Sequence, residues 1–330
     1  MTRSRPSGSP PAVATALLLV LAGLALAACG GSGTTASTSP SPSSTVSSLQ
    51  DPEGQTASNS TLSVAIPAAD ASFSELKRMF AYDRGEPLDF EQGGGWDAGW
   101  YEHIEYTSAG CTVTGIVALP KGKGPFPVVL MAAPGIEALM YAPQASALSR
   151  RGVAVLAIDA PNVRDPNLDM EAIEQDPESY MKANVRYIVD IRRALDLIET
   201  QRKFDHKRIG YVGWSWTGML GALLAGVDPR VKAYVLDYAG GTNRGLEGLT
   251  GEVQDPAEYL AHNRDAAFLF QYTREDTDDG IFSPRRVAKM IAAAPEPKTF
   301  QWVRGRHGAL FDSADSPGSK YLVNWLVENL

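Results

Sequence analysis

The sequence has two cysteines and four histidines in 330 residues. Two cysteines are too few for the disulfide framework of a small secreted fold, so stability has to come from a buried core. No G-x-G-x-x-G or G-x-x-x-x-G-K-[ST] follows any strand-like run, which disfavours a nucleotide-dependent enzyme, and no cofactor is implied. Positive charge is also short, with 30 Lys and Arg against 38 Asp and Glu. That balance does not favour nucleic acid or an anionic lipid surface as a partner. Internal repeats are absent.

There is a single long apolar run, from about Ala12 to Ala28, and it follows Arg3 and Arg5. A basic start, an apolar middle and a small-residue end form the pattern of a secretory signal peptide, here residues 1–28. At about 17 residues the run is short for a spanning helix and lacks charges on its far side, which leaves a retained membrane helix as the alternative. The run closes on Leu26-Ala27-Ala28-Cys29-Gly30, which resembles the bacterial lipobox. That resemblance implies cleavage before Cys29, lipid on its thiol, and an extracytoplasmic protein anchored to the bacterial cell membrane. Cys111 is then left alone, in a strand-like run where a small buried apolar side chain is expected. Loss of Arg3 and Arg5 leaves 28 basic residues against 38 acidic ones, a net charge near −10.

Residues 29–61 are mostly Ser, Thr, Gly, Ala and Pro with almost no apolar content, so they cannot offset the entropy of ordering and read as a tether. Residues 62–330 are long enough for one domain with a sizeable core. Short β-branched runs at Phe126–Ala132, Val153–Ile158, Arg208–Val212, Val231–Leu236, Ala267–Tyr272 and Thr299–Val303 alternate with helical patterns. In the clearest helix, Met181–Thr200, Ile188, Ile191, Leu195 and Ile198 make the apolar stripe, while Asp190, Arg192, Arg193, Asp196 and Glu199 are expected on the other face. Tyr101–Thr107 and Cys111–Leu119, joined by Ser108-Ala109-Gly110, read as an antiparallel hairpin at the sheet's first edge. Before the hairpin, 71–99 looks like an embellishment covering the core, with a helical stretch at Phe73–Phe80.

The strand at Arg208–Val212 runs into Gly213-Trp214-Ser215-Trp216-Thr217-Gly218 and then a helix, the strand–turn–helix context of a nucleophile elbow with Ser215 at its apex. Thr217 stands where G-x-S-x-G has its last glycine, and the expectation is that the neighbouring strand yields to admit it. A bare Gly-x-Ser is more often an N-cap than a nucleophile. What carries this one is the order Ser, acid, histidine along the chain. Asp276 follows the strand Ala267–Tyr272, with Asp278 and Asp279 as alternatives, and His307 lies 31 residues beyond Asp276. Glycines beside His307 suit an exposed loop; His103, His206 and His262 read as structural or surface residues. A calcium loop at 276–280 is rejected because Gly280 comes one place early and no glutamate follows at the required distance, so no metal is expected. The loop Ala133-Pro134-Gly135-Ile136 supplies the second oxyanion donor, the Ile136 N–H, beside that of Trp216.

These features, with Phe126-Pro127-Val128-Val129-Leu130 and Ala294-Pro295-Glu296-Pro297-Lys298, resemble the dienelactone hydrolase-like esterase and peptidase branch of the α/β-hydrolase superfamily. The resemblance implies a mostly parallel eight-stranded sheet with helices on both faces. It also implies a serine hydrolase acting on small-molecule esters: Ser215 attacks, His307 is the general base and Asp276 orients it. Dienelactone hydrolases themselves use cysteine, so serine at 215 points to a general esterase-like relative. An inactive binding lipoprotein and an acyltransferase with the same triad remain as alternatives. Trp214 and Trp216 read either as acyl-pocket walls or as packing for the elbow. Residues 162–179 and 240–258 are the expected lid material, and the natural substrate and oligomeric state are not legible.

Overall fold

Runs of β-branched and aromatic residues form the strands β1 (Glu91–Gly93), β2 (Glu102–Ser108), β3 (Cys111–Ala118), β4 (Phe126–Ala132), β5 (Ala154–Ile158), β6 (Phe204–Trp214), β7 (Val231–Asp237), β8 (Ala267–Thr273) and β9 (Lys298–Val303). The structure is a computed structural model that describes residues 62–93, 100–165, 167–240, 253–273, 284–308, 311 and 313–330. Residues 1–61, with the expected signal peptide, Cys29 and the expected tether, lie outside the described residues, as do Asp276, Asp278 and Asp279. The strands make one sheet in the order β1-β2-β3-β5-β4-β6-β7-β8-β9. Neighbours from β1 to β5 in that order pair antiparallel, and those from β5 to β9 pair parallel. This is the α/β-hydrolase fold. Among the described residues the sheet has nine strands rather than the expected eight, because Glu91–Gly93 adds to the outer side of β2.

The β2–β3 hairpin closes through two residues, Ala109 and Gly110, both with positive φ (46° and 77°). Such turns match the right-handed twist of the strands they join. The inner parallel strands, β4 to β8, are buried on both faces along most of their length, whereas β9 at the edge exposes Phe300 and Trp302. On one face Val128, Leu130, Ile209, Tyr211, Tyr234, Leu236 and Phe268 pack under the helices Pro177–Thr200 and Trp216–Val227. On the other, Val129, Met131, Val212, Val235 and Leu269 meet Tyr141, the helix Ala142–Arg150 and the C-terminal helix Pro317–Asn329. Each fully buried side chain of this size contributes roughly 1.5–3 kcal/mol. Cys111, at the start of β3, is half-buried rather than enclosed.

The long helix begins at Asp176, whose carboxylate accepts the Ser179 N–H (2.9 Å), with Pro177 in its first turn. Its apolar stripe is where the periodicity places it, but most of its charged face is not in solvent. Asp190, Arg193 and Asp196 are 0%, 1% and 7% exposed. The segment from Tyr82 to Pro87 and the end of β2 cover that face and supply partners. Arg193 donates to the carbonyls of Thr107, Glu86 and Pro87. Tyr82 and Arg230 bond Asp196, and Arg164 and Ser108 bond Asp190. Burying these charges is tolerable because each finds partners. A periodicity reading cannot see this second layer, since it comes from residues about a hundred positions away.

Candidate active site

β6 delivers the chain to Ser215 and the next helix starts at Trp216, so the serine sits at the carboxyl end of a central parallel strand. Its backbone lies at φ 55°, ψ −113°. A non-glycine residue held there costs about 1–3 kcal/mol, which the surroundings must hold in place. Four hydrogen bonds do so. The Ser215 N–H donates to the Asp237 carbonyl (2.9 Å), and the Met219 N–H donates to the Ser215 carbonyl (3.1 Å). The fully buried Thr217 hydroxyl accepts the Trp214 N–H (3.0 Å) and donates to the Ala132 carbonyl (2.8 Å). Thr217 therefore clamps the turn to β4, and the neighbouring strand does not need to yield. Glycine is required at 213, where a Cβ would stand 2.2 Å from the Thr217 carbonyl oxygen. Close packing on the next strand falls to Gly218, where a Cβ would stand 3.0 Å from the Asp237 carbonyl oxygen.

His307 follows β9 on a turn flanked by Gly305 (φ 115°) and Gly308 (φ 82°), as its glycine neighbours led one to expect. The imidazole lies over the elbow: its centroid is 5.1 Å from that of Trp214 and 5.0 Å from that of Tyr238. Gly308 presses against Trp214, since a Cβ there would come within 2.6 Å of the indole. Among the described residues no hydrogen bond joins the Ser215 hydroxyl to the ring. The other histidines lie apart on exposed positions; His262, for instance, stacks on Phe73 at 3.5 Å.

Gly135, with φ 82°, turns the loop after β4. The Asn162 side-chain amide donates to its carbonyl (2.9 Å), which ties the loop to the segment after β5. The N–H of Ile136 has no backbone partner among the described residues, and that of Trp216 belongs to the first turn of a helix, where no partner lies within the helix. The two candidate oxyanion donors thus sit on neighbouring strand ends, and a helix N-terminus adds positive potential there. The two tryptophans differ in role. The Trp216 indole donates to Asn184 Oδ1 (2.7 Å) and lies beside Tyr187, packing the elbow helix on the long helix. Trp214 faces His307 and Phe311.

One residue beside the site escaped the sequence reading. Asp237 ends β7, is wholly buried, and both carboxyl oxygens lack a hydrogen-bond partner. Burial pushes its pKa well above the usual carboxylate range. The signal was present as a lone acid inside the apolar run Val235-Leu236-Asp237-Tyr238-Ala239, at the end of the strand that follows the elbow helix. Among the described residues no cluster of His, Cys, Asp and Glu is arranged to hold a metal ion.

The sequence profile of the family described as Esterase FrsA-like matches residues 101–237, from the first long strand through the elbow to Asp237. Esterase FrsA of Escherichia coli O157:H7 is 29% identical over 140 residues, which are 41% of this chain and 31% of that protein. The chain thus spans about a third of the length of that relative. Among solved structures, the acetyl xylan esterase from Paenibacillus sp. R4 superposes with a TM-score of 0.59 at 18% identity, over 78% of this chain and 92% of that one. A cold-adapted esterase from an Arctic intertidal metagenomic library gives 0.54 at 20% identity, over 74% and 100%. At these identities the likeness is one of fold.

Proposed function

We propose that the protein is a serine esterase of the dienelactone hydrolase-like kind, working through an acyl-enzyme on Ser215. The observation that carries this reading is the strained serine at the apex of the β6–helix turn, with His307 brought over the adjacent Trp214. The match to an esterase profile across the elbow supports it. In the proposed reaction the Ser215 hydroxyl attacks the ester carbonyl while His307 takes its proton. The Trp216 and Ile136 N–H groups hold the oxyanion, and Asp276 orients His307 and stabilises the imidazolium. Collapse breaks the ester C–O bond, and the alcohol leaves with the proton from His307. Water, deprotonated by His307, then attacks the acyl carbon, freeing the acid and restoring Ser215. A catalytic hydrogen bond between Ser215 and His307 that is not formed without substrate is commonly drawn together when substrate binds.

The test is hydrolysis of p-nitrophenyl acetate by the purified chain beside Ser215→Ala, with fluorophosphonate labelling as a second readout. Turnover should fall by about 10⁴-fold or more in the variant, and labelling should vanish. Turnover that survives in Ser215→Ala would sink the reading.

The same reading places the enzyme outside the cytoplasm, held to the membrane by lipid on Cys29 at the end of the 29–61 tether. Its support is the leader's charge and hydropathy pattern and the lipobox-like Leu26–Gly30. Metabolic labelling with a radioactive fatty acid should mark the wild type and not Cys29→Ala; equal labelling of both would refute it.

A further inference from the structure

Three side chains sit in one row across the sheet, because Trp214 pairs with Asp237 and Asp237 pairs with Gln271 in the parallel register. Directly paired residues of neighbouring strands point to the same face. Each of the three carries a buried polar atom without a hydrogen-bond partner: the Trp214 indole N–H, both Asp237 carboxyl oxygens and the Gln271 amide oxygen. Gln271 is fixed by its other end, donating to Gln301 and to the Gly318 carbonyl (3.2 Å). Nearby hydroxyls are committed elsewhere, Tyr141 to the Ala132 carbonyl and Tyr272 to the Ala239 carbonyl. Buried polar groups are rarely left unmade, and three neighbouring side chains of one row that each carry one call for a bound water molecule, which typically makes about three hydrogen bonds.

The row lies against the site. The Asp237 carbonyl holds the Ser215 N–H, and the Trp214 ring is the surface on which His307 rests. We propose that Asp237 is a positioning residue for the esterase reaction: through one buried water its carboxyl links the Trp214 indole N–H to the Gln271 amide oxygen and so fixes the ring under His307. This rests on the serine esterase reading above. Burial without a nearby cation raises the carboxyl's pKa and so favours its neutral form, whose O–H can donate to the water while the water donates to the amide oxygen. A protonated Asp237 is distinct from the charged acid of the triad, and among the described residues it makes no hydrogen bond to His307.

The experiment compares Asp237→Leu, Asp237→Asn, Trp214→Phe and the Trp214→Phe/Asp237→Leu pair in the full chain, reading kcat and KM for p-nitrophenyl acetate. Asp237→Leu should lower kcat by about tenfold or more with KM within about twofold, since small misplacement of a catalytic group has that effect. Asp237→Asn, a neutral isostere with a donor and an acceptor, should recover most of the loss. Trp214→Phe should lower kcat similarly, and in that background Asp237→Leu should add little, because both remove the same link. A general packing defect would instead act additively. An unchanged kcat in Asp237→Leu overturns the proposal, as does a loss of about 10³-fold or more in Asp237→Asn, which marks a charged triad acid. If Asp237→Leu does not fold, Trp214→Phe decides alone: a lowered kcat upholds the link and an unchanged one refutes it. If the wild type shows no Ser215-dependent turnover, the esterase reading fails and this proposal with it. Turnover that Asp237→Leu leaves intact fails this proposal only.

Discussion

Replacing Thr217 by glycine would bring the elbow to G-x-S-x-G, and the structure says that this should weaken the fold. The threonine hydroxyl is the acceptor for the partly buried Trp214 backbone N–H (3.0 Å) and a donor to the Ala132 carbonyl (2.8 Å). Ala132 keeps a second donor in the Tyr141 hydroxyl (2.9 Å), so its loss is partial. The Trp214 backbone N–H loses this partner, and a partly buried donor left unmade costs about 1–2 kcal/mol. The lost methyl adds about 0.8 kcal/mol and the freedom of glycine in the unfolded chain roughly 0.5–1 kcal/mol. The sum is near 3 kcal/mol, or roughly 6–12 °C in Tm for a domain of this size. Thr217→Ser keeps the hydroxyl and should lose only about 1 kcal/mol. Urea unfolding followed by circular dichroism measures both. A Thr217→Gly protein within about 0.5 kcal/mol of wild type would refute the clamp, as would a serine variant as unstable as the glycine one.

Asp237→Asn should be more stable than wild type by a margin that grows with pH. The carboxyl's pKa is raised by folding, so its full stability is present below the unfolded value, near 3.9, and is lost as pH rises toward the folded one. Above that lower limit the gap should widen by up to about 1.4 kcal/mol per pH unit in melts between pH 5 and pH 7; parallel curves would show that the folded carboxyl ionises normally. Asn162→Ala frees the Gly135 carbonyl and should lower kcat about tenfold, with KM and Tm nearly unchanged, since the tie positions the oxyanion loop without supporting the core. Arg193→Met should cost about 3–5 kcal/mol by leaving buried carbonyls and Asp196 short of donors. Limited proteolysis should then cut within residues 82–93 before the rest, and a resistant segment would contradict the strapping role.

Local periodicity and chain order were enough to read the parallel strands, the hairpin, the elbow serine and the histidine on its glycine-flanked turn. Each is written within a few residues, as a two- or three-and-a-half-residue repeat or as a turn that needs glycine. The expectations of a leader, of lipid on Cys29 and of Asp276 as the acid fall on residues outside the described ones. Tertiary structure alone decided the rest. Thr217 looked like a departure from the motif until its hydroxyl met a carbonyl 85 positions away. Asp190, Arg193 and Asp196 belonged to a solvent face by spacing and to a buried network once residues 82–87 lay over them. Asp237 gained its meaning only beside Trp214 and Gln271, on strands its own segment cannot foresee. A polar side chain's free energy is set by which donors and acceptors surround it after folding, and those come from distant parts of the chain.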